Sequence, residues 1–306
     1  MNKKRFLLSL LGFSILTASV YAESDTLKKI KETGVISLGV RESSVPFSYA
    51  TNEGYVGYSR DIMQHIVEAA KEKLALPKLE IKTIPITSQN RISLLQNGTI
   101  DIECGSTTNN VERQQQASFT TSIFIVGTQL LTRMNSGINH FSDLKNKTVT
   151  TTAGTTSERI LGKLNGDKKM GMHILSATDH GQAMLMLETG RADAFMMDDA
   201  LLYGERAKAK NPREWHVVGK PRSYEVYGCM LRKGDTAFKQ LADKTITDLM
   251  KSGKANTLYN KWFMQPIPPK SVMLNFPLSK HMKELYSHPS DQPYPEIKEE
   301  KSESND

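Results

Sequence analysis

The stretch Cys104-Gly-Ser-Thr-Thr-Asn-Asn-Val-Glu-Arg113 sets hydroxyl side chains, a helix start and an arginine side by side, and the rest of the chain is read outward from it. Before it, Thr99 to Cys104 alternates Ile100, Ile102 and Cys104 with Asp101 and Glu103, which predicts a strand ending at Gly105. Asn109 and Glu112 stand three apart as an N-cap and N3 pair, so a helix is expected to start there. Arg113 then falls in the first turn, where a cation meets the positive end of the helix dipole and is disfavoured by roughly a few tenths of a kcal/mol unless an anion lies beside it. Alone, Arg113 reads as a solvated surface arginine. An anionic ligand is the reading that justifies its place.

Upstream, Val35 to Val40 is an apolar strand with Arg41 at its carboxyl end, where α/β folds put ligand-contacting groups. Gly57 to Leu74 carries Ile62, Ile66, Val67, Ala70 and Leu74 at helical spacing. Leu79 to Ile86 is expected as a strand, and Ser88 as the N-cap of a helix from Gln89 to Asn97 that Gly98 ends. This puts Arg91 in a first turn too. The alternation of strand and helix predicts a parallel-type sheet with crossover helices.

Downstream the pattern restarts after Asp143. Thr148 to Thr152 reads as a strand, and Thr155 with Glu158 makes a capping-box pattern at the head of the next helix. Gly154 lets the backbone approach a ligand there, so the helix start is either an ordinary cap or a carboxylate site. His180 follows Asp179 at another helix start, a position more often occupied by a capping or surface residue. Gly190 to Asp198 reads as turn and strand, delivering Asp198 to the strand's carboxyl end, where on its own it is equally a turn residue; Asp193 is structural. Val226 to Leu231 is a strand carrying Cys229, Phe238 to Lys251 a helix, and His281 to Tyr286 a last short one. From about His288 the composition predicts disorder, with 291–306 as a tail.

At 306 residues the chain suggests two domains. Lys3, Lys4 and Arg5 before the apolar run Phe6 to Val20, with Val20-Tyr-Ala22 after it, predict a signal peptide over 1–22 and a soluble, exported protein. Losing those three cations lowers the formal charge from +7 to +4, and the basic residues that remain are interleaved with acids, so no nucleic-acid stripe is present. Two cysteines are too few for a disulfide scaffold or a cysteine-rich zinc site.

Ser106-x-Thr108-x4-Arg113 resembles the α-amino-acid clamp of the periplasmic solute-binding proteins that serve polar amino-acid ABC transporters. Further motifs match the glutamate/aspartate binders of that family in order: Arg41-Glu-Ser-Ser-Val-Pro-Phe-Ser, Pro85-Ile-Thr-Ser-Gln-Asn-Arg91, Thr178-Asp-His-Gly181 and Phe195-Met-Met-Asp-Asp-Ala-Leu201. The resemblance runs from about Thr26 to Leu285. It implies an α/β, two-lobed periplasmic-binding-protein fold of type II with two hinge crossings, lobe 1 being 25–125 and 227–290 and lobe 2 being 128–223. It implies that Ser106, Thr108 and Arg113, with Thr155 or Thr156, hold the α-carboxylate and α-amino end, that Asp198 pairs the ammonium, and that Arg41, Ser88, Arg91 and His180 hold a side-chain carboxylate. Three arginines against one aspartate would leave the cleft at +2, suited to L-glutamate or L-aspartate. A carboxylate beside His180 would raise the imidazole pKa in the complex. Both cysteines lie on lobe 1 strands beside the crossings, which with an oxidising periplasm suggests a Cys104–Cys229 bridge. The partner is then an inner-membrane ABC permease, and the protein a cofactor-free, non-enzymatic monomer in the periplasm.

The resemblance also has departures. Gly57-Tyr58 is followed by Ser59 where the broad family often has an acid. The rival class is an enzyme on the same architecture, such as a periplasmic dehydratase, but no HExxH, GxSxG, CxxC or phosphate-loop pattern is present. Nothing in the sequence points to a surface adhesin.

Overall fold

Val35–Val40 is buried at five of its six positions, as expected of a strand covered on both faces. In the computed structural model, which describes residues 25–295, it runs parallel to Glu80–Pro85 on one side and to Ile102–Glu103 on the other. Met230–Leu231 and Ser118–Phe119 extend this sheet antiparallel. The alternation of acids with isoleucines at 100–104 does not mark a solvated face, since Asp101 and Glu103 are both fully buried. Asp101 is paid back by Lys29, Arg232 and the Ser37 N–H, and Glu103 accepts from the Thr107 hydroxyl.

A second sheet orders His173–Ala177, Thr148–Thr152, Ala194–Asp198 and Phe124–Arg133, the first three parallel and the last antiparallel. Phe124–Arg133 also pairs with Tyr224–Tyr227, placing Val126 opposite Glu225, and Tyr224–Tyr227 pairs in turn with Thr108–Asn109. These two antiparallel strands are the crossings between the sheets. The fold is therefore two α/β lobes joined by two extended segments. Around the base of the crossings Phe47, Tyr58, Phe124 and Phe263 pack ring against ring, with Phe47–Phe124 centroids 4.8 Å apart and Phe124–Phe263 4.9 Å, and such aromatic pairs stiffen the contact beyond their buried area.

Tyr58–Leu74 is helical, and it buries Ile62, Met63, Ile66, Val67 and Ala70, the face its periodicity marks. Its Ser59, the departure noted above, donates to the Gly105 carbonyl at 2.8 Å and ties the helix start to the clamp loop. Two caps differ from the sequence reading. The helix Val111–Gln114 is capped by Asn110, whose side chain accepts the Arg113 N–H, because Asn109 is engaged in a strand opposite Val226. The helix Arg91–Gln96 starts after Asn90, which exchanges hydrogen bonds with Thr87, so Ser88 is no cap.

Cys104 and Cys229 are joined by a disulfide, each one residue outside the paired strands Ile102–Glu103 and Met230–Leu231 rather than on them. Order extends further along the chain than composition suggests. The Ser122 N–H donates to the Ser290 carbonyl, Asn109 to the Asp291 carbonyl, and the Asp291 carboxylate meets Lys239 at 2.9 Å. The expected signal peptide at 1–22, and residues 296–306 of the expected tail, lie outside the described residues. No helix among the described residues is long and apolar enough to cross a membrane.

Candidate functional site

The site is assembled where strand ends of the two lobes face each other. Arg41 follows Val35–Val40, Arg91 opens the first turn after Glu80–Pro85, and Ser106, Thr108 and Arg113 follow Ile102–Glu103. From the second lobe come Thr156 after Thr148–Thr152, His180 after His173–Ala177, and Asp198 at the end of Ala194–Asp198. Carboxyl ends of strands in α/β sheets are where ligands bind. All of these side chains are buried.

The lobes touch directly here. Arg113 donates to the Thr108 carbonyl at 3.0 Å and across to the Gly154 carbonyl at 3.2 Å, and the Thr108 and Thr156 hydroxyls are 3.4 Å apart. Gly154 has φ of 76°, and a Cβ there would stand 2.9 Å from the Gln89 Cα, so only glycine lets this turn approach the opposite lobe. Arg159 and Glu112 form an ion pair at the exposed rim. Thr155 stays half-buried as an N-cap: it donates to the Thr152 carbonyl and accepts from the Glu158 N–H, which leaves Thr156 as the threonine in the site.

One end of the site is cationic. Arg41 and Arg91 are almost fully buried, and burial lowers both pKa values, that of Arg91 to about 10, with the Glu103 carboxylate opposing the shift. Both remain charged at neutral pH. Arg91 donates to the Thr107 hydroxyl, which donates to Glu103 at 2.7 Å. Arg41 Nη1, Arg91 Nε, Ser88 Oγ, Ser43 Oγ and His180 Nε2 are all buried without a hydrogen-bond partner among the described residues. Buried polar groups are rarely left so. Burial and then Arg41 hold the His180 imidazole well below its ordinary pKa, so in this site it is neutral. Its Nδ1 lies 2.8 Å from the Thr152 hydroxyl. With that hydroxyl donating, the proton sits on Nε2, a donor without a partner among the described residues on a ring that feels both Arg41 and Arg91.

The other end is acidic. Asp198 accepts from Tyr227 and, at 3.2 Å, from Ser157. Its pKa is pushed up to about 7, first by burial and then by Glu225. Arg113 is lowered to about 9 by burial and then by Arg91. Glu225 itself accepts from Thr108 and Thr156.

Glu103 and Glu225 change the charge reckoning made from sequence. Together with Asp198 they place three buried carboxyl groups among the three buried arginines, where the sequence count had only one. What remains is segregation: Arg41 and Arg91 share Glu103 at one end, while Arg113 shares Asp198 and Glu225 at the other. No sequence signal marked either glutamate, since Glu103 alternates with Asp101 in a strand pattern and Glu225 is a lone acid at the edge of one.

Residues 36–265 match the family model of bacterial extracellular solute-binding proteins, family 3. The chain belongs to that family. Within solute-binding proteins of this kind, an L-glutamate/L-aspartate-binding protein of Pseudomonas aeruginosa is 58% identical over 282 residues, covering 91% of this chain and 93% of the relative. A glutamate/aspartate import solute-binding protein of Escherichia coli is 59% identical over 271 residues, 88% of this chain and 90% of the relative. Among solved structures, a mutant of ArgBP from T. maritima superposes with a TM-score of 0.67 at 29% identity, over 77% of this chain and 98% of that one. A histidine-bound binding protein of Streptococcus pneumoniae, with a TM-score of 0.69 at 21% identity over 78% and 96%, shares the fold.

Proposed function

We propose that this solute-binding protein captures L-glutamate or L-aspartate outside the cytoplasm and delivers it to an ABC permease. The lobes would be 25–125 with 227–290, and 128–223, closing about the two crossings. Arg113, with Ser106 and Thr108, takes the α-carboxylate and amino end, and Thr156 joins them from the second lobe. Asp198 takes the ammonium. Arg41, Arg91, Ser88 and neutral His180 take the side-chain carboxylate. The observation that carries this reading is the group of unpartnered buried donors on Arg41, Arg91 and His180 at the end opposite Asp198, which a second carboxylate satisfies and an apolar or cationic side chain does not. The relatives named for glutamate and aspartate support it.

Calorimetry with a panel of amino acids tests the reading. L-glutamate and L-aspartate are expected to bind at least about 100-fold more tightly than L-glutamine or L-arginine, the scale of one buried charge left unpaired, and to be recovered intact. Equal affinity for L-glutamine would overturn it.

A further inference from the structure

The Glu225 carboxylate is held on a crossing strand by pairing opposite Val126 and by the Ser223 hydroxyl, which donates to its Oε1 at 3.2 Å. Its Oε2 accepts from Thr108 Oγ1 of the first lobe and, at 2.7 Å, from Thr156 Oγ1 of the second. A threonine hydroxyl has one proton and two lone pairs. Since Glu225 Oε2 accepts from both hydroxyls, both protons turn toward it and both sets of lone pairs turn away. Glu225 acts electrostatically on Arg113 and Asp198, the pair assigned above to the amino-acid head group, and Arg159 and Arg222 line the same cavity.

We propose that Glu225 is a positioning residue for substrate: by taking the Thr108 and Thr156 protons it presents a hydroxyl acceptor from each lobe to the ligand's ammonium. The inference rests on the amino-acid-binding reading and deepens it. Asp198, already accepting from Tyr227 and Ser157, supplies charge to that ammonium, while the oriented hydroxyls supply the remaining acceptors. Because one hydroxyl comes from each lobe, the same carboxylate links head-group recognition to closure.

The test is L-glutamate affinity in three settings, with melting temperature recorded for each variant. Glu225→Met keeps the volume and removes the acceptor, and is expected to weaken binding about tenfold or more; Glu225→Ala serves in its place if the methionine is not accommodated. Glu225→Gln, whose amide oxygen still accepts both protons, is expected to stay within about threefold of wild type. In a Thr108→Val, Thr156→Val background Glu225→Met is expected to cost nothing further. Wild-type binding reports on the function alone, whereas the ratios report on Glu225. Unchanged affinity in Glu225→Met, a Glu225→Gln loss as large as that of Glu225→Met, or an undiminished loss in the valine background each overturns the proposal.

Discussion

One guanidinium holds two lobes: Arg113 Nη1 donates to the Thr108 carbonyl at 3.0 Å, and Nη2 donates to the Gly154 carbonyl of the opposite lobe at 3.2 Å. A side chain in that position ties the two lobes together, and under the proposed function it would also meet the ligand's α-carboxylate.

Arg113→Met is expected to weaken every amino acid that binds, since all share the α-carboxylate. Truncating a charged, hydrogen-bonded group in a closed site costs about 2 to 5 kcal/mol, or roughly 30-fold to several thousand-fold in affinity. Calorimetric titration with L-glutamate and L-glutamine reads this out, and a loss confined to one of them contradicts the assignment.

Arg91→Met is expected to separate the two ligands. L-glutamate should lose far more than L-glutamine, because the amide carries no charge for Arg91 to neutralise. The variant should also melt lower. Arg91 sits against Thr107 and Glu103, and removing one partner of such a buried charge cluster costs about 3 to 5 kcal/mol. Equal losses for the two ligands would sink the side-chain assignment.

The pH dependence of binding is expected to follow Asp198. In the free site its pKa is raised to about 7, and a bound ammonium lowers it, so below neutrality binding must expel a proton. Affinity for L-glutamate should fall as pH drops from 8 to 5, approaching about tenfold per unit. The same raised pKa makes Asp198 favour the folded state at low pH, a contribution lost as pH rises through about 7. Asp198→Asn should flatten the affinity profile, whereas His180→Gln should leave its shape above about pH 7 unchanged, because burial and Arg41 hold that imidazole well below its ordinary pKa against any rise a ligand carboxylate brings. A profile that persists in Asp198→Asn places the titrating group elsewhere.

Removing the disulfide by Cys104→Ser with Cys229→Ser is expected to cost up to about 5 kcal/mol, the chain-entropy value for closing a loop of this length; the cysteines are 125 residues apart. Denaturant titration of the two forms measures the difference. Two free thiols in the unfolded, unreduced wild type would show that the bridge does not form.

The strand–helix order, the apolar face of Tyr58–Leu74, the placing of Arg41 and Asp198 at strand ends and that of Arg91 in a helix's first turn were all legible in sequence, because periodicity and capping chemistry act within a few residues of chain. The choice between Asn109 and Asn110 as a cap was not, since it depends on a strand pairing with Val226 more than a hundred positions away. Ser88 is not the cap for a local reason: Asn90 and Thr87, three residues apart, satisfy each other, and the Ser88 hydroxyl is left without a partner among the described residues. Above all, the sequence showed three arginines but not their counter-charges. Glu103 and Glu225 enter the site only when strands far apart in the chain are packed together; Thr108 and Glu225 are 117 residues apart. Burial of that assembly, rather than residue identity, keeps His180 neutral and lifts Asp198 toward neutrality, because the cost of a charge depends on the solvent and partners that only the folded site defines.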